Sequence, residues 1–194
     1  TKVSDIISEQ SEDAQAAAAE VKAFFAKVED ITSAESRKDT FKRAKGIPDP
    51  RPLFNLPGII NRADVPIIVA EGEKTAEAAA ILFPDLVATT PPHGAKSPHK
   101  ANWSALAGRK VIIATDNDDA GQEFGDSVCA LAREAGATSI LHLRPDRLGA
   151  WFWDGAEKVR RTGDIPKGWD IADAIEDGWT VETIATALND PAFF

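Results

Sequence analysis

Short apolar runs alternate with helical segments from residue 65 onward. Four runs are too short for helices and rich in β-branched residues, which predicts strands. They are VPIIVA (65–70), DLVATT (85–90), RKVIIAT (109–115) and TSILHL (138–143). Helical patterns lie at 73–83, 118–136, 168–178 and 181–190. VPIIVA is apolar throughout, which favours a strand buried on both faces. The order predicts an α/β fold with an open, mainly parallel four-stranded sheet flanked by helices.

The N-terminal part of the chain has a different pattern. Residues 11–31 carry apolar residues at spacings of three and four, which predicts a helix. Residues 32–52 are polar and punctuated by proline, which predicts a linker. We therefore expect an N-terminal helical appendage over 1–52 and a main domain over 53–194.

The segment after the fourth predicted strand breaks the α/β pattern. Residues 144–167 hold six basic and four acidic residues around the aromatic cluster Trp151–Trp153. Aromatic side chains among cations suit single-stranded nucleic acid, and Arg160 and Arg161 are the candidates for contact with its phosphates. The alternative, which we favour for the aromatic cluster, is a hairpin whose alternate residues pack on the core. Trp169 and Trp179 are expected in the core.

Composition limits the class of protein. The 194-residue chain is 43% hydrophobic and 27% charged and has no apolar run long enough to span a bilayer. Its first residues lack a signal-peptide pattern, so we expect a cytoplasmic protein. One cysteine, Cys129, and three histidines exclude an internal disulfide and a structural zinc ribbon. The net charge of −9 argues against binding nucleic acid by bulk charge and directs attention to acidic clusters that bind cations.

Acidic residues follow two of the predicted strands. Glu71 ends the first strand, and Asp116 and Asp118 end the third. Ligands of parallel sheets bind at the carboxyl ends of the strands, where these residues are expected to meet. Carboxylates packed together repel one another, and a divalent cation relieves the repulsion. We therefore predict one cluster of Glu71, Asp116 and Asp118, with the two aspartates as a magnesium pair.

Each acid also has a structural interpretation. The run from Asp116 to Gly121 is equally compatible with a turn and a helix cap, because aspartate is a favoured N-cap residue. Glu71 alone is compatible with a solvated side chain at a strand end. Asp170 and Asp173 lie at the start of a predicted helix, so Asp170 is either a further acid of the cluster or a cap. The occurrence of acids at two strand ends favours a site.

Two of these motifs together resemble the TOPRIM domain of bacterial-type primases, topoisomerases and certain nucleases. They are IIVAEGEKTAEAA, a strand ending in Glu-Gly, and VIIATDNDDAG, a strand ending in Asp-x-Asp, and the resemblance extends over roughly residues 53–178. It implies a Rossmann-like fold, Mg²⁺ or Mn²⁺ as cofactor, and nucleotidyl or phosphoryl transfer on nucleic acid. It also implies that Glu71 acts in proton transfer or helps hold the metal, that Asp116 and Asp118 bind the metal, and that Asp170 is an auxiliary acid.

Two further segments, HGAK (93–96) and GWDIADAI, resemble elements of primases and primase-helicases of phages and mobile elements. This implies a DNA primase, with single-stranded DNA and nucleoside triphosphates as partners and possible fusion to or association with a helicase. Gly72, Lys74, Gly94 and Lys96 are then candidates for phosphate contact, and Gly72 is expected to permit the tight turn from strand to helix. The chain has no tyrosine, so it is not a complete topoisomerase. A metal-dependent nuclease and a non-catalytic binding module are the alternatives.

Overall fold

A four-stranded parallel sheet lies at the centre of the main domain. A computed structural model describes residues 49–194. The strands are β1 (Ile67–Ala70), β2 (Val87–Thr89), β3 (Lys110–Ala114) and β4 (Ser139–Leu143). They pair in parallel in the order β2-β1-β3-β4, which confirms the predicted fold class. The predicted N-terminal helix and most of the predicted linker lie outside the described residues, so the domain boundary at residue 52 stays a prediction.

Helices connect the strands and close the domain. They are α1 (Leu56–Asn61), α2 (Glu73–Leu82), α3 (Asp119–Glu134), α4 (Pro145–Leu148), α5 (Ile171–Glu176) and α6 (Val181–Leu188). The strands and helices predicted from residue 65 onward are found within about three residues of their predicted bounds. Short 3₁₀ turns lie at Gly94–Lys96, Pro98–Lys100, Ser104–Leu106 and Pro191–Phe193. Within residues 49–194, no helix combines the length and the apolar character needed to cross a membrane.

Alternate strand residues face two separate hydrophobic layers. On one face, Ile67, Val69, Val111 and Ile113 pack with residues of α1 and α3. On the other face, Ile68, Ala88, Ile112, Ala114 and Leu143 pack with residues of α2, α5 and α6. Every residue of β1 is buried, as its continuous apolar run predicts. Helices cover both faces of β1 and β2 and most of β3, which leaves the strand ends as the accessible part of these strands.

The strand order reverses between β1 and β3. The chain passes from β1 through α2 to β2 on one side of β1, and β3 then pairs with the opposite side of β1. In open parallel sheets, the crevice at the carboxyl ends of the strands where the order reverses is the usual position of a ligand. Glu71 and Asp116 follow β1 and β3 at this crevice.

The insertion after β4 contains α4 and an antiparallel hairpin. The hairpin strands are β5 (Trp151–Asp154) and β6 (Glu157–Arg160). Trp151 and Trp153 are partly buried against the layer formed by α2, α5 and α6, and the Trp153 ring meets the Trp179 ring edge-on at 6.2 Å. Lys158 Nζ lies 4.7 Å from the centre of the Trp151 ring. These contacts support the packing interpretation of the tryptophans.

Arg161 ties this hairpin to the C-terminal helices. Its Nε donates to the Gly149 carbonyl at 2.9 Å, and its Nη2 donates to Asp177 Oδ2 at 2.5 Å. The same Asp177 oxygen accepts from Trp169 Nε1 at 2.8 Å, and Trp169 lies in the core, as expected. These partners give Arg161 a structural role and leave its predicted phosphate contact unsupported, whereas Arg160 is exposed.

We expect Arg161→Ala to lower the free energy of unfolding by about 1–3 kcal/mol, because the mostly buried Asp177 carboxylate loses its cation. Urea denaturation measures the change. Arg160→Ala is the matched control and should stay within about 0.5 kcal/mol of the wild type. Equal stability of the two variants would contradict the structural role of Arg161.

Candidate metal centre

Two carboxylates meet where β1 and β3 end. Ala70 and Ala114 are paired at the last positions of the two strands. Glu71 follows Ala70 directly, and Glu71 Oε2 accepts a hydrogen bond of 3.4 Å from the backbone N–H of Asp116. The pairing of β1 with β3 therefore brings together two acids that are 45 residues apart in sequence.

Asp116 is the acid of this group whose charged form is most strongly disfavoured by its surroundings. Its Oδ1 is buried and has no hydrogen-bond partner among the described residues. The pKa of Asp116 is raised to about 7, chiefly by burial and further by the carboxylates of Glu71, Asp170, Asp118 and Asp173. Burial also raises the pKa of Glu71, which the hydrogen bond from Asp116 partly offsets. An unpartnered carboxylate oxygen among acids suits a hard divalent cation, which prefers oxygen ligands.

Asp118 is the N-cap residue of α3. Its Oδ1 accepts from the backbone N–H of Gly121 at 2.8 Å, so the cap interpretation is correct for this residue. A cap does not remove the charge, and the Asp118 carboxylate still contributes to the raised pKa of Asp116. Asp118 thus has both a structural role and a place in the acidic cluster.

Asp170 reaches the cluster from the start of α5. Its Oδ1 accepts from the backbone N–H groups of Ala172 and Asp173, and Asp173 Oδ2 accepts from the N–H of Asp170. Its Oδ2 accepts from the Thr75 hydroxyl of α2 at 2.8 Å. The cap interpretation is therefore correct here too. Both oxygens of Asp170 have protein partners, which suits the predicted auxiliary role better than a direct metal contact.

Asn117 connects β3 to the segment that precedes Asp170. Its backbone N–H donates to the Trp169 carbonyl at 2.9 Å, and its carbonyl accepts from Gly168 N–H at 3.1 Å. Its side-chain Nδ2 also donates to the Pro166 carbonyl at 3.1 Å. Sequence analysis missed this role, and the position between two acids was the only signal for it.

Gly121 is a second residue that sequence analysis missed. A Cβ atom at Gly121 would lie 2.2 Å from the backbone oxygen of Asp116, a distance that real side chains do not show. Glycine therefore lets α3 begin against the end of β3. The signal in the sequence was the glycine of the DNDDAG run.

Of the two glycines among the predicted phosphate-contacting residues, only Gly94 stands where a side chain would not fit. Gly72 is the N-cap of α2 with φ −143° and ψ 169°, an extended conformation open to any residue, and its Cβ would meet nothing within 4 Å. Gly72 was expected to permit the tight turn from strand to helix, and the backbone here would accept other residues as well. Gly94 has φ +59°, and its Cβ would lie 2.8 Å from the Glu71 carbonyl oxygen. The glycine of the HGAK loop thus allows that loop, with Lys96, to approach the end of β1. Lys74 is exposed in the first turn of α2.

Most carboxylates of the cluster accept hydrogen bonds from backbone N–H groups and do not converge on one point where a cation would bind. Among residues 49–194, no three Asp, Glu, His or Cys side chains form a group ready to hold a metal ion. Like charges repel, and Glu71, Asp118 and Asp170 each turn toward an N–H group. The donor chemistry nevertheless fits Mg²⁺ or Mn²⁺, since Asp116 offers an unpartnered oxygen beside these acids.

A comparison with protein-family models agrees with this geometry. Residues 66–144 match the Toprim domain family. This Toprim segment, less than half of the chain, runs from β1 to just past β4 and contains Glu71, Asp116 and Asp118, whereas Asp170 lies beyond it. Toprim domains belong to enzymes that process nucleic acids with Mg²⁺ or Mn²⁺ bound by acidic residues, which confirms the predicted cofactor at the level of the family. No curated protein and no solved structure matches the chain.

Two glycine substitutions test the backbone geometry of the Toprim segment. Gly121→Ala should displace α3 from the end of β3, lowering both the melting temperature and the affinity for Mn²⁺, because its Cβ would meet the Asp116 carbonyl. Gly72→Ala, the matched control, should leave both nearly unchanged, because its Cβ points into open space. Thermal melts and calorimetric titration measure the two effects. A Gly121→Ala protein that behaves like Gly72→Ala would refute the close approach.

Asp116→Asn should stabilise the metal-free protein at neutral pH. Below about pH 3 the carboxyl is largely protonated in both the folded and the unfolded state, so the variant and the wild type should match. Between about pH 4 and pH 7 the unfolded state releases the proton first, and the wild type loses stability as pH rises. At pH 8 the variant should be more stable by on the order of 1 kcal/mol, allowing for solvent screening.

Thermal melts in a chelator between pH 4 and pH 8 measure the effect of Asp116→Asn. Asp85→Asn, which replaces an exposed acid in the turn before β2, is the control and should show no such pH dependence. A variant less stable than the wild type at pH 8 would mean that the Asp116 carboxylate is not strained.

Proposed function

We propose that residues 53–194 form the catalytic domain of a primase-type nucleotidyltransferase that uses Mg²⁺ or Mn²⁺. The observation that carries this proposal is the buried, unpartnered Asp116 oxygen beside Glu71, at the crevice between β1 and β3 of the Toprim segment. Structural carboxylates are normally paired or hydrogen-bonded when buried, because an unpaired one costs free energy. The proposed need for a free metal ligand accounts for the unpartnered Asp116 oxygen.

The acids have separate roles in the proposed site. Asp116 and Asp118 would hold the cation, with Glu71 beside them. A bound cation neutralises charge on the phosphate oxygens during phosphoryl transfer. With a pKa of about 7, Asp116 holds a proton much of the time at neutral pH, and this proton leaves when the carboxylate becomes a ligand. The raised pKa of Glu71 suits it to exchange a proton with a reacting hydroxyl.

The primase assignment rests on the resemblance of the EGEK and HGAK segments to phage-type primases. Under this proposal the partners are single-stranded DNA and nucleoside triphosphates, with a helicase fused to or associated with the domain. The position of Gly94 against the Glu71 carbonyl supports a functional HGAK loop, because it holds the loop that carries Lys96 at the end of β1. Metal-dependent nucleic-acid cleavage would use the same acids, so one set of assays must separate the two activities.

Substitutions at Asp118 separate its cap role from its metal role. Asp118→Asn should keep α3 stable, since asparagine is as good an N-cap as aspartate, but weaken Mn²⁺ binding at least about tenfold through loss of charge. Asp118→Ala should weaken binding similarly and also cost about 1 kcal/mol of stability. Calorimetric titration and melts give the two quantities, with Asp85→Asn as the control. Unchanged affinity in Asp118→Asn would make the residue a cap alone.

The activity is tested on the full chain with a single-stranded DNA template, labelled nucleoside triphosphates and Mg²⁺. The proposal requires short labelled products that disappear in Asp116→Asn and Asp118→Asn and persist in Asp85→Asn. Degradation of labelled DNA without synthesis would indicate a nuclease. Binding without either reaction would indicate a non-catalytic module.

A further inference from the structure

A groove lies on the face of the domain that α3 covers. It has a volume of about 520 Å³, within the usual range of small-molecule sites, and runs between α3 and the loop of residues 95–99. Apolar groups line part of it, including Pro98, Phe124 and Leu131. Lys96, His99 and Ser127 add polar groups to the same surface, and Glu123 of α3 adds a carboxylate.

Both walls of the groove start in segments that adjoin the candidate metal centre along the chain. On the loop side, Ala95 follows Gly94, whose backbone lies against the Glu71 carbonyl. On the helix side, Ala120 lies in the first turn of α3, the helix that Asp118 caps. The groove then extends along α3 to Leu131, about 16 Å further at the rise of an α-helix.

The groove also offers cationic and hydrogen-bonding groups without internal partners. The side chains of Lys96 and His99 are exposed and make no hydrogen bond or ion pair with any residue of the described part of the chain. By contrast, His93 of the same loop is hydrogen-bonded to Arg51. Unpaired donors beside apolar lining, in a chain of net charge −9, complement a ligand with one anionic and one flat apolar part.

We propose that this groove binds a nucleoside phosphate, with the base against the apolar lining and the phosphate at Lys96 and His99. The inference rests on the proposed function in one respect: the groove would hold the nucleotide whose phosphate faces the acidic cluster. The nucleotide is either free or part of a nucleic-acid strand. Lys96 and His99 are then binding residues, and α3 supplies the surface on which the sugar and base lie.

The test measures binding of adenosine monophosphate, adenosine and a labelled thymidine oligonucleotide to the full chain, in Mg²⁺ and in chelator. We expect the Lys96→Ala/His99→Ala variant to bind the monophosphate or the oligonucleotide roughly tenfold more weakly than the wild type in both buffers, because these contacts do not pass through the cation. The monophosphate should also bind more tightly than adenosine to the wild type.

Two matched comparisons control the test. Ser127→Phe should fill the groove and weaken binding similarly, whereas Ser127→Ala, at the same exposed position, should bind like the wild type. Lys110→Ala removes an exposed lysine at the opposite end of β3 and should have no effect. Thermal melts and Mn²⁺ titration show that each variant remains folded.

The outcomes separate this inference from the proposed function. Weakening for the monophosphate supports a free nucleotide as the ligand, and weakening for the oligonucleotide alone supports a nucleotide within a strand. If folded Lys96→Ala/His99→Ala and Ser127→Phe proteins bind both probes as strongly as the wild type, the groove is not the nucleotide-binding site. This conclusion holds even if Mg²⁺-dependent synthesis is observed. If the monophosphate binds, an equal affinity for adenosine would also overturn the proposal. Nucleotide binding in the groove without synthesis or cleavage would support the nucleotide-binding site and refute the catalytic function.

Discussion

The burial of Asp116 among other carboxylates at the ends of β1 and β3 is the constraint around which this domain is organised. Asp116 is desolvated there beside Glu71, and its charged form is disfavoured at neutral pH. The sheet keeps the two acids together because β1 pairs along its whole length with the buried residues 111–114 of β3. A ligand that binds only the folded state stabilises it by an amount that grows with the ligand concentration relative to the Kd. A divalent cation would therefore convert an unfavourable feature of the fold into a stabilising one.

The neighbouring acids show how a cluster of charge is held without a ligand. Asp118 and Asp170 accept hydrogen bonds from helix N-termini, where the helix dipole favours a negative charge. Those bonds fix the carboxylates near Asp116 and limit how closely they approach one another. Asn117 and Gly121 complete the arrangement through the backbone, one by joining β3 to the segment before α5 and the other by admitting α3. The residues between and after the acids are thus as much a part of the site as the acids.

Positive charge is scarce in this chain, and its distribution separates structural from functional cations. Arg161 is hydrogen-bonded to Asp177 and Gly149, and Lys158 lies over aromatic rings. These two basic residues of the insertion therefore stabilise its packing on the domain. Lys96 and His99 have no such partners within residues 49–194. They also belong to the loop that Gly94 brings against the Glu71 carbonyl at the end of β1. The loop after β2 is therefore a better place than the hairpin to look for contacts with phosphate.

The sequence by itself determined the elements of the sheet, the burial of β1 and the acids that follow β1 and β3, because these depend on local patterns. A continuous run of β-branched residues is stable only between two covered faces, and aspartate before a helix serves as a cap wherever the helix lies. Only the tertiary structure decided the strand order β2-β1-β3-β4, which makes Glu71 and Asp116 neighbours. It also showed that Gly121, and not Gly72, stands where no Cβ fits, and that Arg161 is committed to Asp177. These outcomes depend on contacts between segments distant in sequence, and a local pattern carries no information about which distant atom will occupy the adjoining space.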